Sequence, residues 1–286
     1  METVMIADYA CATGEGPLWH PMEKRVYWAD IPAGRLFRYD PATGQHEMFY
    51  EGDLVGGFTI QADGALLLLG DRGSVRIWRD GQVTTVLDSV PGEENSRFND
   101  VIADPEGRVF CGTMSSPDRL GKLYRLDTDG SIRPVIHDVG TSNGMGFTPD
   151  RGQMYYTDSG AREIYIYDYD AATGDLTNRR VFVKLSEDDP GVPDGMTVDS
   201  EGYVWSARWG GGCLVRYAPD GSEDTRITFP ARKVSSVIFG GDGYADMYVT
   251  TAGGPNKPEE GAGAGALFRV KAVVPGVPEF FSRVLL

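Results

Sequence analysis

Four oxygen-bearing side chains recur at one position of a repeated phrase in this 286-residue sequence. Each stands first in its copy of the phrase: Glu15, Asn99, Asn143 and Asp194. Two carboxylates and two carboxamides form an all-oxygen set, which suits a hard divalent cation such as Ca²⁺ or Mg²⁺. Taken alone, Asn143 or Asp194 before a glycine is better explained as a turn residue. Their shared position favours metal binding, and Glu15 has no comparable turn preference.

The repeated phrase is a small or polar pair, an alternating apolar stretch, and then a proline or an Asp-Gly turn. Its intervals are 41, 43, 44, 51 and 41 residues, and the two copies without an acid or amide begin with Gly56 and Ser235. This period is typical of a four-stranded propeller blade. The sequence therefore predicts an all-β fold, a six-bladed β-propeller with four antiparallel strands per blade, as a single domain over residues 1–286. The innermost strands of a propeller surround its channel, so the first residues of the copies should meet at one channel mouth.

The third and fourth copies show the strand pattern most clearly, with two-residue alternation and β-rich composition between turn residues. No stretch sustains an apolar 3.6-residue period across three turns, which argues against Rossmann and TIM-barrel folds. The predicted strands are Val101 to Ala103, Val109 to Thr113, Lys122 to Leu126 and Ile132 to Ile136 in the third copy, and Met154 to Thr157, Ile164 to Tyr167 and Val181 to Val183 in the fourth.

Closure of the ring requires a partner for the last open sheet edge. The segment Thr3 to Ala7 precedes the first copy and reads as a strand without a neighbour, so we expect it to form the outer strand of the last blade. The C-terminal PEFFSRVLL competes for the same place.

Composition excludes several classes of partner. The formal net charge is −15, and no basic patch is visible, so binding to nucleic acid or to an anionic membrane surface is not expected. The three cysteines are widely spaced and include no CxxC pair, which fits a reducing compartment. Neither a signal peptide nor an apolar run of eighteen residues is present, so we expect a cytoplasmic protein. A closed, acidic disc is expected to be a monomer.

Several motifs, in order and across the whole chain, resemble the gluconolactonase, regucalcin and luciferin-regenerating enzyme family of six-bladed propellers. They are GEGPLW at Gly14 to Trp19, RFND at Arg97 to Asp100, SNGMGF at Ser142 to Phe147, PDGMTVDSEGYVW at Pro193 to Trp205, and the closing GALFRVKAVVPGVPE.

The resemblance implies one divalent metal ion held by Glu15, Asn143 and Asp194. It places Asn99 close to metal or substrate, and Arg97 on the hydroxyls or carbonyl of the substrate. Calcium is the first expectation for the metal, and Mg²⁺, Mn²⁺, Zn²⁺ and Fe²⁺ are compatible with an oxygen-rich site.

The implied activity is hydrolysis of a sugar lactone to the aldonic acid. A metal with open positions polarises the carbonyl and activates water. Asp194 is then the candidate general base, and Arg97 stabilises negative charge on the intermediate or holds the ring. Arg97 could instead form a surface ion pair. Two alternative functions stay open: a non-catalytic calcium-binding regulatory propeller, and a hydrolase of another ester substrate.

Other conspicuous residues carry less chemistry. Three histidines, His20, His46 and His137, lie at different repeat positions, so a histidine metal cluster or catalytic triad is not expected. Each histidine is expected to lie on the surface. The glycine-rich segment 253–265 reads as a loop over the channel mouth that shapes substrate choice. Trp209 is the aromatic residue expected at the pocket border.

Overall fold

Strands account for nearly all the regular structure of this protein, which is described by a computed structural model of residues 1–286. The chain forms twenty-four β-strands, and its one α-helix is the four-residue α1, Lys257–Glu260. Single 3₁₀ turns cover Asp242–Tyr244 and Gly254–Asn256. The all-β prediction is confirmed. No helix has the length and apolar character needed to cross a bilayer.

Four sheets are separate and share one plan, with four antiparallel strands in chain order. The first contains β2 Gly14–His20, β3 Arg25–Asp30, β4 Arg35–Tyr39 and β5 His46–Glu51. The second contains β6 Val55–Ile60, β7 Leu66–Gly70, β8 Val75–Arg79 and β9 Gln82–Leu87. The third contains β10 Phe98–Ala103, β11 Val109–Thr113, β12 Gly121–Leu126 and β13 Ile132–Val139. The fourth contains β14 Ser142–Phe147, β15 Gln153–Asp158, β16 Glu163–Asp170 and β17 Asp175–Lys184. The strands predicted in the third and fourth copies all lie within these bounds.

The other eight strands form one continuous sheet, so the protein has five sheets. One half contains β18 Val192–Val198, β19 Val204–Trp209, β20 Cys213–Tyr217 and β21 Glu223–Thr228. The other half contains β22 Lys233–Gly240, β23 Asp246–Ala252, β24 Ala266–Lys271 and β1 Thr3–Asp8. A single residue pair, Trp209 with Lys233, joins the halves. The architecture is therefore propeller-like, but six separate sheets are not observed, because β19 ends where β22 begins and the two strands pair there.

Hairpin turns between the first two strands of the third and fifth copies are built from aspartate side chains. Asp104 Oδ1 accepts hydrogen bonds from the backbone N–H groups of Glu106 and Arg108, each at 2.9 Å. Asp199 Oδ1 does the same for Glu201 and Tyr203, each at 3.0 Å. The carboxylate replaces backbone partners that a tight turn leaves unpaired, which explains the recurrence of aspartate in these turns.

Apolar side chains pack between neighbouring sheets, in six buried clusters. Strand β7 shows how the sequence achieves this. Leu66 and Leu68 pack toward β3, whereas Leu67 and Leu69 pack toward β11, because alternate strand residues point to opposite faces. One cluster lies between the two halves of the eight-stranded sheet and contains Trp205 and Phe268. Those halves thus pack against each other as separate sheets do.

The N-terminal strand, not the C-terminal tail, completes the sheet of the last copy. Strand β1 pairs antiparallel with β24, with Thr3 opposite Val270 and Asp8 opposite Ala266. The tail instead crosses the inner strands: Ser282 N donates to Ile60 O at 2.9 Å, and Phe280 packs on Phe147. The expectation for the N-terminal segment is confirmed.

Candidate functional site

A cavity of about 390 Å³ opens where the innermost strands begin. All five side chains predicted to carry the function line it: Glu15, Arg97, Asn99, Asn143 and Asp194. Its other lining residues are Thr13, Met114, Thr141, Ser159, Gly160, Val192 and Trp209. Residues from four copies of the repeat, distant in sequence, therefore meet at one place.

Irregular strand pairing aims the polar side chains at this cavity. In β2, β10, β14 and β18 the register with the next strand shifts immediately around the first residue of the copy. The shift follows Glu15 in β2 and lies between Ser142 and Met145 in β14. A bulge of this kind turns a side chain out of the regular alternation. Each acid or amide therefore leaves the packed faces of its sheet.

Glycines beside the polar residues let the inner strands approach closely. A Cβ on Gly144 would lie 2.5 Å from the backbone oxygen of Asp194, and one on Gly195 would lie 2.2 Å from Ser236 Oγ. Only glycine fits such an approach without displacement. The Asn-Gly and Asp-Gly pairs thus reflect packing around the channel as well as backbone turns.

Burial and mutual repulsion raise the pKa of both carboxyl groups in the cavity. Glu15 and Asp194 are 8% and 3% exposed. The pKa of Glu15 is raised well above its usual range by burial first and then by Asp194 and Asp100. The pKa of Asp194 is likewise raised by burial and by Asp100, while contact with the Asn143 amide lowers it. A bound cation would relieve this repulsion, because it supplies the positive charge that the cavity needs.

Asn143 presents an oxygen without a protein partner. Its Oδ1 is buried and accepts no hydrogen bond, whereas Nδ2 donates to Ser159 Oγ at 3.1 Å. A buried carbonyl oxygen left unpaired is costly unless a ligand completes it. Together with the carboxylates of Glu15 and Asp194, it offers the hard oxygen donors that Ca²⁺ or Mg²⁺ prefers. No group of three or more His, Cys, Asp or Glu is arranged to hold a metal, so the amide oxygen is needed as a donor.

Asn99 has a different environment from Asn143. Its Oδ1 accepts a hydrogen bond from Arg97 Nη1 at 2.8 Å, and its Nδ2 donates to Ser142 O at 2.9 Å. The same Arg97 nitrogen also donates to Phe98 O at 2.9 Å. Burial lowers the pKa of the Arg97 guanidinium, and the charges of Glu15, Asp71 and Asp194 partly offset this effect. Arg97 is therefore held inside the cavity, and the surface ion pair considered for it is not observed.

A second, smaller cavity of about 50 Å³ lies farther along the channel. Asp100 and Glu279 face it, among apolar residues of the inner strands and the tail residues Phe280 and Phe281. Burial raises the pKa of Asp100 to about 6 and, together with the Asp100 charge, raises that of Glu279 to about 7. Neither acid was predicted from the sequence, because the repeat indicates only the first residue of each copy.

Met114 and Ser159 also line the cavity without having been predicted from the sequence. Met114 and Ser159 directly follow the second strand of their copies. Trp209, the last residue of β19, occupies the equivalent position, because Pro193 pairs with Arg208 as Ser142 pairs with Asp158. The repeat offers a signal for them, since this position faces the cavity in the third, fourth and fifth copies. The border position expected for Trp209 is confirmed.

Two other expectations need correction. His20 is only 2% exposed and packs against Tyr27, so its surface placement was wrong; no histidine lines the cavity. Segment 253–265 contributes no lining residue. It reaches the site indirectly, because Glu260 forms an ion pair with Lys233, whose Nζ lies 5.3 Å from the Trp209 ring centre.

Comparisons with known proteins identify the family of this chain. A pentonolactonase from Haloferax volcanii is 51% identical to this chain, with 100% of both chains covered. A 6-deoxy-6-sulfogluconolactonase from Pseudomonas putida is 35% identical, with 93% of both covered. The crystal structure of a calcium-binding protein, regucalcin, from Agrobacterium tumefaciens superposes with a TM-score of 0.90 at 25% identity, covering 99% of this chain and 98% of that one. The family model described as the SMP-30/gluconolactonase/LRE-like region matches residues 13–253, and the chain belongs to this family.

Proposed function

We propose that this protein hydrolyses a sugar lactone to the corresponding aldonic acid in a reaction that requires one divalent cation. The enzyme class, hydrolase of a carboxylic ester, is that of its pentonolactonase and sulfogluconolactonase relatives. One observation carries the proposal: Glu15, Asn143, Asp194 and Arg97 share one cavity, in which Asn143 Oδ1 has no protein partner. The relative at 51% identity makes a five-carbon aldonolactone the first substrate to test.

Glu15, Asn143 and Asp194 would hold the cation, with Ca²⁺ as the first candidate and Mg²⁺, Mn²⁺, Zn²⁺ and Fe²⁺ as alternatives. When bound, a divalent cation supplies Lewis-acid polarisation of the lactone carbonyl and lowers the pKa of water. The named calcium-binding relative supports the choice of Ca²⁺.

The protein's own groups divide the rest of the reaction. Asp194 takes a proton from the water whose oxygen adds to the carbonyl carbon. The guanidinium of Arg97, held by Asn99, donates to the oxygen that becomes negative. The carbonyl bond then re-forms as the ring C–O bond breaks, and the ring oxygen leaves as a hydroxyl after taking up the proton held by Asp194. Trp209 offers an apolar face against the sugar carbons.

We also propose that the propeller has six blades. The two halves of the eight-stranded sheet share only one residue pair and enclose their own apolar cluster, so we treat them as two blades of a single domain over residues 1–286. A monomer in the cytoplasm completes the proposal, and the three free, buried cysteines support a reducing compartment.

The test is a pH-indicator assay over five- and six-membered aldonolactones, with spontaneous opening subtracted. Metal-stripped protein should be inactive, and one of the cations should restore turnover. Asp194→Asn should lower kcat by about 10³-fold, within the range of general acid–base catalysis. Ser282→Ala, which removes a buried hydroxyl outside the cavity, is the matched control and should retain full activity. Full turnover after chelation would refute the proposal.

A second candidate, calcium-dependent regulation without catalysis, is favoured by the calcium-binding relative. It would gain support if no lactone were hydrolysed while Ca²⁺ still raised the melting temperature by mass action. Hydrolysis of another ester is the third candidate. It predicts turnover of aryl esters above that of any aldonolactone in the same assay.

A further inference from the structure

We propose that Ser159 is a positioning residue that selects which end of the Asn143 carboxamide faces the cavity. Its hydroxyl also ties Asn143 to the segment that carries Asp194. The inference rests on the proposed function, since it concerns the oxygen donors of the proposed cation site.

The hydrogen-bond polarity around Ser159 determines the orientation of the amide. Ser159 Oγ donates its single proton to Pro193 O at 2.6 Å. Because that proton is used, the hydroxyl can only accept from its other neighbour, Asn143. The amide atom at 3.1 Å must therefore be the donor Nδ2, which turns Oδ1 away from Ser159. In a flipped amide, Asn143 Oδ1 and Pro193 O would both need the single hydroxyl proton of Ser159.

Asn143 Oδ1 accepts no hydrogen bond from the protein, so no other group fixes the oxygen end of the amide. The amide also lowers the pKa of Asp194, which is the effect of an N–H donor beside a carboxylate, so Asp194 favours the same orientation as Ser159. Ser159 and Asn143 are 7% and 6% exposed, so water does not compete effectively for either group.

Comparison with the first copy of the repeat supports this role. Asp30 and Asp158 occupy equivalent positions, opposite Gly14 and Ser142. Each accepts hydrogen bonds from two successive backbone N–H groups: Asp30 from Ala12 and Thr13, and Asp158 from Gly140 and Thr141.

The residue that follows differs between these two copies: Ile31 in the first and Ser159 in the fourth. The proposed cation ligand in the first copy is the Glu15 carboxylate, whose two oxygens are equivalent, so neither has to be selected. The proposed ligand in the fourth copy is the Asn143 amide, and this is the copy in which the Ser159 hydroxyl occurs. The amide of Asn99 is oriented by another group, Arg97.

The experiment is a double-mutant cycle on cation affinity. Calorimetric titration with Ca²⁺ would compare wild type, Ser159→Ala, Asn143→Asp and the double variant. We expect Ser159→Ala to weaken binding about 10–100-fold, as is usual for residues that orient metal ligands. In the Asn143→Asp background the same change should weaken Ca²⁺ binding less than about threefold, because a carboxylate presents an oxygen in either orientation. The Ca²⁺-induced rise in melting temperature gives a second readout.

Ser282→Ala controls for loss of a buried hydroxyl and should leave affinity unchanged. If Ser159→Ala fails to fold, the nearly isosteric Ser159→Cys takes its place with the same expected pattern. Equal losses in both backgrounds, or no loss in either, would overturn the role of Ser159 while leaving the proposed function intact. A wild-type protein that binds none of the cations would overturn both.

Discussion

Asn99 and Asn143 occupy the same repeat position, yet their hydrogen bonds give them different chemistry. The oxygen of Asn99 is used by Arg97, and the oxygen of Asn143 has no partner in the protein. A residue type at a repeat position therefore indicates which atoms are present but not which of them are available. We infer that Asn143 Oδ1 would coordinate the cation. We also infer that Asn99 orients the Arg97 guanidinium, to which the substrate would bind.

Alanine substitutions should separate these two roles. Asn143→Ala should weaken Ca²⁺ binding at least about tenfold, because it removes a donor oxygen. Asn99→Ala should leave Ca²⁺ affinity within about threefold and raise KM, because Arg97 loses the acceptor that orients it. Calorimetry and steady-state kinetics on both variants provide the measurements. Equal loss of cation affinity in the two variants would contradict the assignment.

Bulges in the inner strands of four copies position the polar side chains of the cavity. Regular alternation would send the first residue of each of these copies toward a neighbouring sheet, and the bulges direct it to the channel instead. The regular remainder of each strand packs in the apolar clusters between sheets. One strand thus has a functional end and a structural end.

Strand β1 is the element whose removal should test ring closure. Deleting residues 1–9 would leave β24 with an unpaired edge and remove the buried Ala7. At about 1 kcal/mol per lost hydrogen bond, the free energy of unfolding should fall by about 3–6 kcal/mol. The bare edge should also promote self-association. Urea unfolding and size-exclusion chromatography measure the two effects.

Deletion of the exposed Leu286 is the control for shortening a terminus and should change neither measurement. A protein without residues 1–9 that keeps wild-type stability and elutes unchanged would show that closure does not depend on β1.

Across the whole molecule, acidic side chains lie along the channel as well as on the surface. Glu15, Asp194, Asp100 and Glu279 all face cavities along the channel of a protein with a net charge of −15. Charge repulsion and burial work against the ionised forms of these acids. The folded state should therefore be sensitive to pH and to any cation that enters the channel.

Glu279 allows this sensitivity to be measured away from the cation ligands. Its pKa is raised to about 7 in the folded protein, so folding favours the protonated form. The resulting stability is present below the ordinary carboxyl pKa and is lost as pH rises toward 7. Glu279→Gln should therefore be more stable than wild type at pH 7.5 by about 1–3 kcal/mol, with a smaller difference at pH 5.

Urea unfolding in the presence of a chelator, at both pH values, provides the measurement. The same substitution at the exposed Glu187 is the control and should show no pH-dependent gain. A Glu279→Gln protein that is less stable than wild type at pH 7.5 would contradict the expected cost of ionising this carboxyl.

The repeat in the sequence was sufficient to predict the all-β class, the strands of its third and fourth copies and the convergence of Glu15, Asn99, Asn143 and Asp194. The strands follow from alternation and turn residues within each stretch of chain, and the convergence follows from a repeat of 41 to 51 residues that runs along the whole chain. The closing partner of β24, the merger of two sheets at Trp209, the burial of His20 and the partners of each amide were decided only in the tertiary structure. Each of these depends on which groups distant in sequence come into contact. The hydrogen bond from Ser159 to Pro193, for example, forms only when neighbouring copies of the repeat pack together.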